Sequence, residues 1–361
     1  MGNLRTSGSK PSHAPLLAFA ACVVLLAGAA ACGHSAAPSH QAASTLPPAA
    51  SSATSTQPTS STAGLPVGVL ASIQLPLGGA PASIVAGYGS IWVTSHRGTM
   101  LYRIDPNTDK VKAQIDVGQE SCGLMAVGAG RVWTLPCAAG NTIVVNPATN
   151  QIDRTLPPAG LSIAFANGQP WLTDRANDSL TELDPITLRV TATVKVANTM
   201  ITFGGGKIFT ANPSPVTGEW SGSTISEIDP NTHRVLRTFT TPDPGTYASM
   251  IYGFGRIWLK GSDNNKLIAI DLSTGRATTY VIASWSALDQ LYGMDTTTDL
   301  GSLWIRTSDG TVSRIDPSTA KVLATYPADP SGGGGDIVVD HDSLWIANFG
   351  TDTVWRDRIA P

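Results

Sequence analysis

An aromatic residue, Trp in all but one case, returns along this 361-residue chain at Trp92, Trp133, Trp171, Phe209, Trp258, Trp304 and Trp345, at intervals of 38 to 49 residues. A turn marker keeps the same beat at Asp105-Pro106, Asn146-Pro147, Asp184-Pro185, Asp229-Pro230, Asp271-Leu272 and Asp316-Pro317. Self-similarity at a fixed period of about 40 residues marks a repeat architecture, in which one supersecondary unit is copied and stacked. The unit is clearest at Gly301–Tyr326, where alternating apolar and polar residues predict strands at Ser302–Arg306, Val312–Asp316 and Val322–Tyr326. A fourth strand is expected just before them, at Leu291–Asp295 or slightly later. Between the second and third of these strands, Asp316 caps its own turn and Pro317 presets the backbone.

Seven markers but only six turns leave the last unit short of its outer strand. An unassigned strand of the right kind, Val69–Leu75, precedes the first unit, and it is predicted to pair near Thr353–Arg356. The expected fold is therefore all-β: a seven-bladed β-propeller of four-stranded antiparallel blades, its ring closed by the N-terminal strand 69–75 joining the last blade. Residues 66–361 form that domain. Closure of this kind removes the open ends that a row of sheets would expose.

The chain begins differently. Residues 1–31 read as a bacterial secretory signal, with Arg5 and Lys10 at its start, an apolar run from Ala14 to Ala31, and the small residues Ala29-Ala30-Ala31 before Cys32. Residues of this type before a Cys resemble a lipoprotein signal, in which Cys32 becomes the lipid-modified first residue. Ala29 stands where such signals most often have Leu, so ordinary secretion from the same bond is an alternative, and an uncleaved membrane anchor a third. Residues 32–65 are Ser, Thr, Ala and Pro with hardly a charge, a composition that buries too little apolar surface to fold. They read as a disordered tether with a span on the order of 30 Å. The expected location is the outer face of the bacterial cytoplasmic membrane.

Charge narrows the partners. Only 14% of residues are charged and the net charge is −3, so no basic stripe exists for nucleic acid. Cys22 leaves with the signal and Cys32 carries lipid, which leaves Cys122 and Cys137 as a pair. They flank a hairpin turning at Gly128–Arg131, and a symmetric turn that sets Val127 against Val132 also sets Cys122 opposite Cys137, within disulfide reach. Such a bond implies an oxidising compartment, and a monomeric exported protein is expected.

Each blade opens on an inner strand rich in small residues, such as Ala82–Ala86 or Ser162–Ala166, suited to the crowded centre of a ring. The aromatic markers fit the contact between blades and are read as core. Gly204–Lys207 lacks the Ser or Thr of a phosphate loop and falls where a hairpin turn is due. Four residues past each marker, at the channel mouth, come His96, Cys137, Arg175, Pro213, Ser262, Ser308 and Phe349, a set with no shared metal-ligating chemistry. His233 and His341 fall in turns. Three long loops, Asn212–Ser223, Thr241–Tyr247 and Ser284–Tyr292, belong to blades four to six. The candidate ligand-binding residues are accordingly His96, Arg175, Glu219, Trp220, Tyr247, Trp285, Asp289 and Tyr292. No cofactor and no catalytic triad is expected from this arrangement.

The pattern Gly89-Ser-Ile-Trp-Val-Thr94, followed by Ile104-Asp-Pro106 and its copies across 66–361, resembles the bacterial YVTN-type and virginiamycin B lyase-like seven-bladed propellers. The motifs are the structural repeats, so the resemblance speaks to fold. Its lyase branch implies opening of a cyclic depsipeptide antibiotic by a Mg-dependent His and Glu pair near the channel, and the nearest pair here is His96 with Glu219. Two functions follow. The first is a lipid-anchored, non-catalytic binding or scaffold module for a protein, glycan or small ligand. The alternative is a metal-dependent lyase or hydrolase at the channel mouth, the only case that calls for Mg.

Overall fold

The computed structural model describes residues 65–76, 79–121, 124–137, 140–157, 160, 162–174, 176–198, 200–213, 222–242, 247–261, 266–282, 296–297, 299–307, 310–328 and 334–360, with the strand Ser60–Ser61. Seven antiparallel sheets form a propeller. Blade 1 is Pro81–Gly87, Ser90–Ser95, Met100–Asp105 and Lys110–Asp116, and blades 2 to 6 repeat that order outward from the axis. The described helix is one short turn, Phe349–Thr351.

Blade 7 closes the ring with strands from both ends of the domain. Val69–Gln74 pairs with Thr353–Arg358, setting Gln74 against Thr353, Ile73 against Val354 and Ser72 against Trp355. The expected closure is present, near Thr353–Arg356 as expected. A correction applies at its outer edge, where Ser60–Ser61, inside the stretch read as tether, pairs with Ile73 and Ser72 as a short fifth strand. The reason is the edge itself, which offers a row of unpaired N–H and C=O groups to any nearby segment.

The inner strand of blade 6 is described at Thr296–Thr297, the slightly later position allowed for it. Two loop boundaries differ. The loop placed at Asn212–Ser223 is shorter at both ends, because Lys207–Pro213 and Gly222–Asp229 continue their pairing through Asn212 with Thr224 and Pro213 with Gly222. Tyr247 likewise opens the strand Tyr247–Gly253, opposite Gly261.

Turn chemistry repeats with the blades. In all six marker turns the Asp or Asn side chain accepts a backbone N–H two residues on, as from Asn107 to Asp105 and from Ser318 to Asp316. Six of the seven inner hairpins turn on two residues of positive φ, Tyr88-Gly89 and Phe254-Gly255 among them, the geometry that matches strand twist.

Packing follows the aromatic beat. One apolar cluster fills each of the seven blade-to-blade interfaces, and the six marker Trp residues and Phe209 are fully buried in them. The indole N–H of Trp92, Trp133, Trp258 and Trp304 donates to a carbonyl five residues earlier, satisfying the one polar atom of each ring. At the rim of the inner-hairpin face an Arg from one blade reaches the marker turn of the next: Arg103 to Pro147 O, Arg131 to Pro185 O, Arg237 to Leu272 O and Arg256 to Pro317 O.

Candidate functional site

The mouth of the channel lies at the opposite end from those turns, where the marker strands run out. Each second strand carries its residue four past the marker to this end, and three of them meet there from neighbouring blades. His96 follows Ser90–Ser95, Cys137 follows Arg131–Thr134, and Phe349 follows Ser343–Asn348. Nδ1 of His96 lies 3.6 Å from Sγ of Cys137, and its ring sits 5.3 Å from that of Phe349, tilted by 49°. The guanidinium of exposed Arg97 lies over the Phe349 ring, at 4.9 Å from its centroid.

Backbone bonds fix the positions of these side chains. His96 N donates to Ala80 O, Ala80 N donates to Oδ1 of Asp352, and Phe349 N donates to Gly334 O. Nearby, Gln119 clamps Asn141 through both its amide atoms, at 2.6 and 2.9 Å. Partial burial lowers the pKa of His96 below its ordinary value; Glu120 opposes the shift and Arg97 adds to it. The imidazole is therefore mainly neutral at pH 7.

Deeper on the side of blades 5 to 7 lies a buried polar group. Arg306 Nη1 donates to Gly335 O and Ala347 O, and Nη2 donates to Oδ1 of Asn348, tying blade 6 to blade 7. Asp336 and Lys260 are each only 2% exposed. Burial pushes the Asp336 carboxyl up to about 7, against the pull of Ser83, Arg306, Lys260 and the Ile84 N–H. This group was not among the residues singled out by sequence. Its signal was a charge inside an apolar marker strand, as in Leu303-Trp-Ile-Arg306.

Of the residues expected to bind ligand, His96 stands at the mouth beside Cys137 and Phe349. Arg175, Glu219, Trp220, Trp285, Asp289, Tyr292 and Cys122 lie outside the described residues, and Tyr247 is placed by its backbone alone. The pairing of His96 with Glu219 thus has one described member. Among the described residues no three His, Cys, Asp or Glu side chains group as metal ligands. On the opposite face a cavity of about 550 Å³ separates the inner hairpins of blades 7 and 1, between Tyr88, Pro106, Asp340, His341 and Arg356.

These features define a seven-bladed propeller closed by its N-terminal strand, with an aromatic and cationic mouth. Solved structures of the same architecture include the virginiamycin B lyase of Staphylococcus aureus, with a TM-score of 0.65 at 17% identity over 80% of this chain and 98% of that one. A catalytically inactive histidine-to-alanine form of that lyase with quinupristin gives the same figures. BamB from Moraxella catarrhalis matches with a TM-score of 0.57 at 11% identity, over 81% of this chain and 99% of that one. At these identities the likeness is one of fold. No protein-family model and no curated protein matches the chain.

Proposed function

We propose that this chain is a non-catalytic recognition module, an exported propeller that presents its channel mouth to a protein, glycan or small ligand. The observation that carries the reading is the contact of Phe349 with both Arg97 and His96. The guanidinium of an exposed arginine held over an aromatic ring, itself in contact with an imidazole, is a preordered surface of the residue types that dominate binding hot spots. The long loops of blades 4 to 6, with Glu219, Trp220, Trp285 and Asp289, extend the same face in this reading, and no cofactor is needed.

In the same proposal residues 1–31 direct export, Cys32 carries the lipid, and the tether sets the monomeric propeller off the outer face of the cytoplasmic membrane. Cys122 is assigned as the disulfide partner of Cys137. Val127 faces Val132 in the flanking hairpin, and the pairing proposed for Cys122 rests on counting the same number of residues outward from that turn in the sequence. A disulfide fits an oxidising compartment outside the cytoplasm.

The fold neighbours motivate a second reading, a Mg-assisted lyase at the mouth with His96 as its base. One experiment separates the two. The purified protein is incubated with quinupristin and Mg²⁺, and calorimetric titrations with Mg²⁺, Ca²⁺ and Mn²⁺ are run beside it. Recognition without catalysis predicts intact depsipeptide and no heat of metal binding. Ring-opened product that disappears in His96→Ala would replace the proposal with the lyase.

A further inference from the structure

Six of the seven interfaces place an apolar side chain at one recurrent site on the third strand: Ile104, Val145, Leu183, Ile228, Ile270 and Ile315. At the seventh, between blades 6 and 7, the repeat aligns Val354-Trp-Arg-Asp357 with Val312-Ser-Arg-Ile315, so a carboxylate occupies the isoleucine site. Asp357 is 0% exposed, and neither of its oxygens has a hydrogen-bond partner among the described residues. It pairs with Leu344 on one side and Val69 of the closing strand on the other. Side chains alternate along a strand, so Asp357 points to the same face as Trp355, which packs against Tyr326 and Ala328 of blade 6.

We propose that Asp357 makes the seating of the closing blade against blade 6 pH-dependent: as the neutral acid it substitutes for the isoleucine of the other blades, and on losing its proton it forces the interface open. A lone carboxylate in an apolar contact is tolerated uncharged, whereas the ion demands water.

The charged and titratable groups around it do not neutralise that ion. From blade 6, Arg314 is engaged with Ser302 Oγ and Ala360 O, and the Tyr326 hydroxyl accepts from Ala360 N. On its own strand Arg356 and Arg358 alternate to the other face, where Arg356 binds Pro106 O and Asp109 of blade 1. On the hairpin beside it Asp340 pairs with His341 and Asp342 accepts from Ser343. Val69 and Leu344 bring no charge. Burial alone raises the Asp357 carboxyl to about 7. A folded value above the unfolded one means that closure is strongest below the ordinary carboxylate range and weakens as pH climbs towards 7, with no further loss above it. Arg306 holds blade 6 to Gly335, Ala347 and Asn348 at the mouth, so the interface opens from the far end while the mouth remains the hinge.

Hydrogen exchange of the full chain at pH 5 and pH 8, corrected for intrinsic rates, reads this directly. Residues 322–327 and 353–358 report the interface, and 163–174 of blade 3 serve as the internal reference. Protection of the first two segments is expected to fall by roughly tenfold to a hundredfold at pH 8 while the reference holds. Asp357→Ile abolishes the fall, and Asp357→Leu does the same if the isoleucine packs poorly. Asp336→Asn, which alters the buried polar group it forms with Arg306, Lys260 and Ser83 at the mouth end, leaves it intact. Equal protection at both pH values, a fall that survives in both Asp357 variants, or a fall removed by Asp336→Asn would each overturn the proposal.

Discussion

Arg356 Nη1 donates to the carbonyl of Pro106 at 2.8 Å, joining residues 250 positions apart. The same guanidinium donates from Nε to Ser343 Oγ, meets Asp109 Oδ1 at 3.1 Å and lies over the ring of Trp345. It is the seventh link in a girdle. Arg103, Arg131, Arg237, Arg256 and Arg314 make the corresponding bond to the next blade, and between blades 3 and 4 Glu182 and His233 take over at 3.1 Å. The N-terminal strand closes blade 7 on itself, and Arg356 then fastens that blade to blade 1.

Removing this link has a predictable cost. Charge-assisted hydrogen bonds contribute about 1.5–3 kcal/mol, and the partial exposure of Arg356 favours the lower end. Arg356→Ala is expected to lower urea-unfolding stability by about 1.5 kcal/mol or more. Arg356→Lys recovers only part of it, because an ammonium cannot serve Ser343, Pro106 and Asp109 together.

The closing strand should matter as much as any covalently continuous one. Ile73 is buried against Ile84, Tyr102 and Val354 at the interface of blades 7 and 1. Ile73→Ala is expected to cost about 2–5 kcal/mol, like Ile104→Ala across the same cluster. Chemical denaturation of both variants checks the equivalence. A negligible loss at Ile73 alone would mean that the ring stays shut without its N-terminal strand.

Two hairpins carry strain that can be relieved. Phe254 and Leu300 have φ of 56° and 52° and are exposed, so they hold a left-handed backbone that bulky residues disfavour. Phe254→Asn and Leu300→Asn create the Asn-Gly pair preferred in such turns and should each stabilise by about 1 kcal/mol. Thermal unfolding of the single and double variants tests this.

His96 should titrate below 6.5 by NMR. Arg97 pushes its pKa down and Glu120 pulls it up, so Arg97→Gln raises the midpoint and Glu120→Gln lowers it further. Binding that needs a neutral imidazole weakens only once the pH falls through that midpoint.

The repeat made the ring, its blade count and its closure legible, because a period-two pattern and an Asp-capped turn carry their own register. The same logic set His96, Cys137 and Phe349 at one end of the channel. Loop lengths have no period, so the outline at Asn212–Ser223 came out too long, where backbone pairing overrides local composition. The girdle was hidden for a different reason. Arg103 and Arg314 sit two residues before the turn marker, whereas Arg131 and Arg256 come from the preceding strand, so one spatial role is spread over two sequence registers. Asp357 was visible as a departure from Ile315 in the aligned repeats, but its burial depends on blade 6 packing over it.

The mouth is the working surface in this account, and site-specific photo-crosslinking on intact cells tests it most directly. A photoreactive side chain is placed at Phe349, and a second at Asn107 on the opposite face. Discrete adducts are expected from position 349 that vanish in Arg97→Ala, with none from position 107. No adduct at 349, or the same adducts from both faces, would contradict it.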